Sequence, residues 1–208
     1  MSLQYILMGD IIGSRRYAAE QLRNEFMGLI SSCNKELQQD ILSPYTVTLG
    51  DEFQGVAASL TAAVKTIFYL EETSLRLGLR FKMRYVTVHG AIETPLNRVK
   101  AHTMMGAGLT EARSLLTDKG RGTPRFRFKL DDMHRMSQLN RLFLVVDGLT
   151  DRWNRKDREL ILDMLVNTHN EDVGVAHGKN RSQIWKRRKN LLIEEYRALK
   201  ESLLELAG

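Results

Sequence analysis

Two apolar, strand-like runs, Tyr5-Ile6-Leu7-Met8 and residues 45–49, each stop at a Gly-Asp pair, Gly9-Asp10 and Gly50-Asp51. Short apolar runs that end in turn residues favour strands over helices. A glycine there lets the backbone turn sharply, so each Asp is expected to project from the rim of a sheet. The interval from Asp10 to Asp51 has room for one helix and one strand. If the two strands are neighbours, both carboxylates reach the same rim, where hard oxygen ligands beside an open loop suit Mg²⁺ carrying a nucleotide's phosphates.

The rest of the N-terminal half alternates between the two periods. Residues 15–39 carry Leu22, Phe26, Leu29 and Ile30 near helical spacing, which predicts a helix. Residues 45–49 and 53–56 read as a hairpin around Gly50-Asp51-Glu52, and residues 57–77 as a second helix. Residues 79–89 alternate as a strand, a short strand is expected near 99–103, and a helix over 109–116 follows the Gly106-Ala107-Gly108 turn. Phe126-Arg127-Phe128 is a last strand. This order points to an α/β sandwich with helices on one sheet face, of the ferredoxin-like or palm type.

The 208 residues allow one ordinary domain and a smaller second one. The chain is 43% hydrophobic and 27% charged, an ordinary globular composition. Cys33 is the only cysteine, so no internal disulfide forms, which suits a reducing cytosol. No signal peptide is legible, and no apolar run approaches the roughly 20 residues needed to cross a bilayer. The expected location is cytoplasmic, with no membrane partner. The net charge of +6 is compatible with a polyanionic partner.

Four segments carry a resemblance to a known family. Asp10-Ile11-Ile12-Gly13 resembles the Asp-Ile-x-Gly that opens the catalytic domain of class III nucleotidyl cyclases. Leu49-Gly50-Asp51-Glu52-Phe53 is similar to their second metal site and to the hairpin of GGDEF diguanylate cyclases. Residues 84–90 resemble the cyclases' Arg-x-Gly-x-His-x-Gly strand, keeping Arg84, His89 and Gly90. Residues 106–115 resemble the cyclase helix, keeping Ala112 and Arg113. The whole chain resembles the bacterial SatD-like family, which joins such a domain to a C-terminal extension. The resemblance implies Mg²⁺ at Asp10, Ile11 and Asp51, and nucleotide contacts at Gly13, Ser14, Arg15, Glu52 and Arg113. Ser14 and Arg15 would cap and start the first helix, whose N-terminus favours phosphate. The chain also departs from the pattern. The cyclases' base-reading Lys falls on Val47, and their transition-state Asn falls near Leu109 or Thr110, so two donors for catalysis are absent.

Several residues also have plainer explanations. Asp51 and Glu52 suit hairpin chemistry, with Glu52 facing solvent. His89 suits a hydrogen-bonded sheet residue, Cys33 a small packing residue, and Lys119, Arg121, Arg125, Arg127 and Lys129 a solvated loop and edge strand.

From residue 142 the pattern is wholly helical. A linker is expected over 151–154, with helices over 155–167 and 170–177. Gly178 makes a turn, and Asn180 caps a third helix. This resembles a helix-turn-helix, although Gly174 stands where an Ala is usual. Between Asp172 and Glu194 there is no acidic residue. Lys179, Arg181, Ser182, Gln183, Lys186 and Arg187 are the expected contacts to duplex DNA, with Arg181, Ser182 and Gln183 facing bases and Lys186 and Arg187 facing phosphates. A helical tail runs on through Leu192, Tyr196, Leu199, Leu203 and Leu206, a candidate homodimer seam.

The expected fold is therefore a mixed α/β ferredoxin-like palm over residues 1–135 and an all-α helix-turn-helix module over 136–208. The leading function is a cytosolic regulatory protein that couples metal or nucleotide binding to DNA. An active Mg²⁺-dependent nucleotidyl cyclase or transferase is the alternative, and an interaction module with neither activity the third.

Overall fold

A five-stranded mixed sheet forms the middle layer of the computed structural model, which describes residues 2–120 and 122–208. Its strands are β1 (Ser2–Ile11), β2 (Ile41–Val47), β3 (Glu52–Ala57), β4 (Met83–Ile92) and β5 (Phe126–Lys129), in the order β2-β3-β1-β4-β5. β1 pairs antiparallel with β3 and β4, β2 pairs antiparallel with β3, and β5 runs parallel to β4. Both faces of β1 are covered, Leu7 and Ile11 on one side and Ile6 and Met8 on the other, which explains its continuous apolar run.

Gly9 does not turn the chain. It lies inside β1 opposite Phe53, and a Cβ there would sit 2.5 Å from Phe53 Cε1 and 2.9 Å from the Arg84 carbonyl. It is the space for a neighbouring ring that requires glycine at this position. The sharp turn belongs to Gly50, at φ +86°.

The helices α1 (Ala19–Glu36) and α2 (Leu60–Leu77) cover one face of the sheet, and α3 (Ala107–Thr117) covers the other. The expectation of one helical face is thus corrected. α3 lies on β4 backbone to backbone, since a Cβ on Gly108 would stand 2.6 Å from the Gly90 carbonyl carbon. The strand expected at 99–103 is a 3₁₀ turn over Ala101–Thr103.

Both outer strands are closed in the same way. On β2, the Tyr45 N–H donates to Asn34 Oδ1 while Asn34 Nδ2 donates to the Tyr45 carbonyl, both at 2.8 Å. On β5, the Phe128 N–H donates to Asn140 Oδ1 at 2.8 Å, and Asn140 Nδ2 donates to the Phe128 carbonyl at 3.0 Å. Each amide occupies the groups a further strand would use.

The C-terminal helices are α4 (Met133–Thr150), α5 (Arg158–Val166), α6 (Asn170–Ala176), α7 (Arg181–Asn190) and α8 (Ile193–Ala207). α4 brings Leu139, Phe143 and Val146 into the core beneath α2, and α8 returns to the same core with Tyr196, Leu203 and Ala207. α5, α6 and α7 share a smaller core of Leu160, Ile161, Met164, Val173 and Ile184. The tail does not continue α7: Leu192 is left-handed, at φ +54°, and turns the chain back. The stripe read as a dimer seam is packed against the chain's own α2 and α4. Among the described residues no helix is long and apolar enough to cross a membrane.

Candidate functional site

Register alone puts Asp10 in a row of charges. It pairs with Glu52 on β3 and with Arg84 on β4, and directly opposed residues project from the same face. That face is the one α3 covers. Asp10 is 2% exposed. Its Oδ2 is ion-paired with the Lys119 ammonium at 2.7 Å and accepts from Arg84 at 3.4 Å. Its Oδ1 is buried and, among the described residues, has no hydrogen-bond partner, a state that costs free energy unless something fills it.

Asp51 reaches the same end of the sheet, because its carbonyl accepts from the Ile11 N–H at 2.9 Å. Ile11 itself is buried in the core, so it offers an ion only its backbone. The Ile12 N–H donates to the Lys82 carbonyl at 2.8 Å, and Gly13 then turns left-handed at φ +68°. Among the described residues no cluster of three or more His, Cys, Asp or Glu forms. A cation here would rest on Asp10, Asp51 and the backbone of Ile11, with the remaining ligands supplied by phosphate or water. The orphaned Asp10 oxygen fits that donor set.

The phosphate side differs from expectation. Ser14 and Arg15 lie in a 3₁₀ turn, Ser14–Arg16, and cap no helix. Tyr17 is extended, and α1 begins only after Ala18. The break has a cause, since the Tyr17 hydroxyl donates to the Arg80 carbonyl at 2.9 Å. Arg15 is exposed at this rim. Glu52 is no solvent-facing hairpin residue: its side chain is 13% exposed and Arg113 bonds it at 3.2 Å. Arg113 also donates to Gln54 Oε1 at 3.2 Å, and Gln54 donates onward to the Ala101 carbonyl at 2.8 Å. An open cleft beside this row is lined by Met8, Gln54, Glu93, His102, Thr110 and Arg113, among others.

Lys119 and Gln54 escaped the sequence reading. Gln54 is legible afterwards from its two-residue offset to Glu52, whereas Lys119 arrives from a loop that no periodicity places. The basic run it belongs to is solvated only in part, at exposed Lys129 on β5 and half-exposed Lys119. Arg125 is buried against Glu71 and Asp147, at 2.9 and 2.8 Å, and Arg127 pairs with Asp118 at 3.0 Å. Arg121 lies outside the described residues. His89 is remote from Asp10, stacked on Tyr5 and bonded to Asp131 at 2.7 Å. Burial pushes the Cys33 thiol up to about 12, outside the range of a nucleophile at neutral pH.

In the C-terminal segment, Lys179, Arg181, Ser182 and Lys186 are exposed. Gln183 is turned back into a capping box with Asn180, each accepting from the other's backbone N–H at 2.9 Å. Arg187 pairs with Asp157. Arg188 is buried and donates to Asn170 Oδ1, to the Met164 and Asn167 carbonyls and to Glu194. Gly174 is where a side chain cannot be: a Cβ would stand 2.5 Å from the Lys179 carbonyl oxygen.

The sequence model of the SatD family matches residues 5–194. The chain belongs to the SatD family. No curated protein matches it by sequence. Among solved structures, this SatD-family chain is similar to a bacterial light-regulated adenylyl cyclase at 17% identity. The match covers 62% of this chain and 77% of that one, with a TM-score of 0.42.

Proposed function

We propose that the Asp10–Asp51 rim binds the phosphates of a nucleotide through a divalent cation, on a palm of the ferredoxin-like type spanning residues 1–135. One observation carries this reading: the buried Asp10 Oδ1 has no partner, at a rim that also holds Asp51. The strand order β2-β3-β1-β4 with antiparallel neighbours supports the palm. When bound, Mg²⁺ would neutralise phosphate charge there. Asp10 and Asp51 would hold it, and Arg15, exposed beside the Gly13 turn, would meet the phosphates. Arg113, which now ties Glu52 to Gln54, keeps the neighbouring cleft in shape.

Turnover is expected to be absent or very weak. Val47 stands where the cyclase resemblance asks for a base-reading Lys, and Leu109 or Thr110 where it asks for a transition-state Asn, and each lost donor costs about 10²–10³ in rate. The test is a thermal shift with Mg²⁺ and ATP or GTP. At a hundredfold excess over Kd a bound ligand adds about 2.7 kcal/mol, which moves Tm by roughly 5 to 10 °C in a chain of this size. The shift should vanish in the double variant Asp10→Asn, Asp51→Asn. A shift unchanged in that variant sinks the reading, and abundant cyclic or linear dinucleotide product overturns the expectation on turnover.

A second activity is favoured by the exposure of Lys179, Arg181, Ser182 and Lys186 on one end of the helical segment. α6, the Gly178 turn and α7 form a helix-turn-helix that contacts duplex DNA with these four residues, while Gln183 and Arg187 serve the module's own structure. The chain would then be a regulator in which ligand binding at the rim is coupled to DNA.

A further inference from the structure

Among the described residues, Asp10 is compensated by two cations of different freedom. Arg84 is anchored on β4, its side chain is 13% exposed, and it stands 3.4 Å from Oδ2. Lys119 comes from the loop after α3, is half exposed, and approaches the same oxygen to 2.7 Å. A carboxylate this buried needs compensating charge. The closer cation is thus the more movable one, a point charge on a flexible four-carbon stem. The oxygen it leaves uncovered, Oδ1, has no hydrogen-bond partner among the described residues.

We propose that Lys119 is a built-in stand-in for the divalent cation, displaced from Asp10 when the cation binds and then free to hold a phosphate oxygen. The inference rests on the reading of the rim as a cation–phosphate site. A divalent ion at Oδ1 places two positive charges on the carboxylate that Lys119 shares, and their repulsion acts at short range. Half in solvent already, the ammonium swings away at little desolvation cost, while Arg84 stays held by its strand. The phosphates that arrive with the cation then supply the anion that the freed ammonium pairs with. Lys119 therefore opposes a bare cation and favours the cation–phosphate pair, which makes the two bind cooperatively.

Calorimetric titration of the full chain with Mg²⁺ alone, and with Mg²⁺ plus inorganic tripolyphosphate, tests this. Lys119→Met should bind Mg²⁺ alone about fivefold tighter, the upper end for release of a half-exposed ion pair, and bind tripolyphosphate in Mg²⁺ more weakly. Lys119→Gln should behave alike, with melting curves showing that both are folded. Unchanged Mg²⁺ affinity in both lysine variants, with binding still lost in Asp10→Asn, would overturn the stand-in role and leave the cation site in place. Mg²⁺ binding that survives in Asp10→Asn, or in Asp51→Asn should the first variant melt early, overturns the site itself. So does a failure of every chain to bind with tripolyphosphate present.

Discussion

Asp10 and Arg188 are both nearly sealed from solvent, and what each touches separates the proposed site residue from a structural one. Asp10 keeps one oxygen without a partner among the described residues. Arg188 spends its guanidinium on two backbone carbonyls, an Asn and a Glu, between 2.7 and 3.0 Å. It joins α5, α6 and the start of α8, and it belongs to the protein's interior although it sits in a basic run. Breaking a buried charged network typically costs about 3–5 kcal/mol. Arg188→Met is therefore expected to lower Tm by roughly 6 to 20 °C. Lys186→Ala, on the exposed side of α7, should leave Tm nearly unchanged and weaken binding to every DNA sequence. Melting curves and fluorescence anisotropy on the same two proteins check both halves; equal melting losses would refute the assignment. The sequence could not separate these residues. Charge is legible in a run of Lys and Arg, but the partners of Arg188 lie 6 to 24 residues away and are set by how three helices fold together.

At the scale of elements, the strands and helices of the first half were legible where hydrophobic period and end signals agree. α2 illustrates this, capped by the Ser59 hydroxyl and closed by left-handed Gly78. Besides the 3₁₀ turn at Ala101–Thr103, two places were not legible. The start of α1 was misread because a contact from Tyr17 to distant Arg80 overrides a local capping pattern. The whole first half of α4 was missed, since Met133 to Asn140 carries mostly polar residues, and the Asp132 cap together with packing on β5 holds it there. That packing has a purpose visible in Asn140, whose amide closes the outer side of β5 as Asn34 closes β2. An unpaired edge is a template for another chain. Asn140→Ala is expected to cost about 1–3 kcal/mol, the price of leaving buried backbone groups unmet, and to raise self-association on partial heating. Sedimentation velocity near the melting onset measures it, against Asn140→Asp, which keeps one acceptor and adds a charge at the edge. If Asn140→Ala stays as monodisperse as the wild type, the edge is protected by something else.

For the whole molecule, the consequence lies in where α8 ends. Leu203 is fully buried in the core that holds Leu7, Phe26 and Phe143, and the Tyr196 hydroxyl donates to Glu72 on α2 at 3.0 Å. Burial among these carboxylates also pushes the Tyr196 phenol well above its ordinary range, so that hydroxyl remains a donor throughout the working pH range. The last helix thus completes the layer that supports the sheet. The helical segment's own small core is tied to that layer through Leu75 and Trp153, and the Trp153 indole donates to the Leu191 carbonyl at 2.9 Å. Lys82 adds a link from the rim, accepting from Ile12 with its carbonyl and pairing with Asp151 through its ammonium. The two functions proposed for the two parts are therefore expected to share one folding unit. Leu203→Ala removes a side chain from a filled core and should cost about 2–5 kcal/mol, lowering Tm by roughly 4 to 20 °C. The sharper expectation concerns cooperativity. Sheet and helical segment should melt together, with calorimetric and van't Hoff enthalpies equal, in the wild type and in Leu203→Ala alike. Tryptophan fluorescence, which reports Trp153 and Trp185 in the helical segment, should give the same midpoint as far-UV dichroism. Two separated transitions would show that α8 only leans on the sheet layer, and the route from the rim to α7 through a shared core would be lost with it.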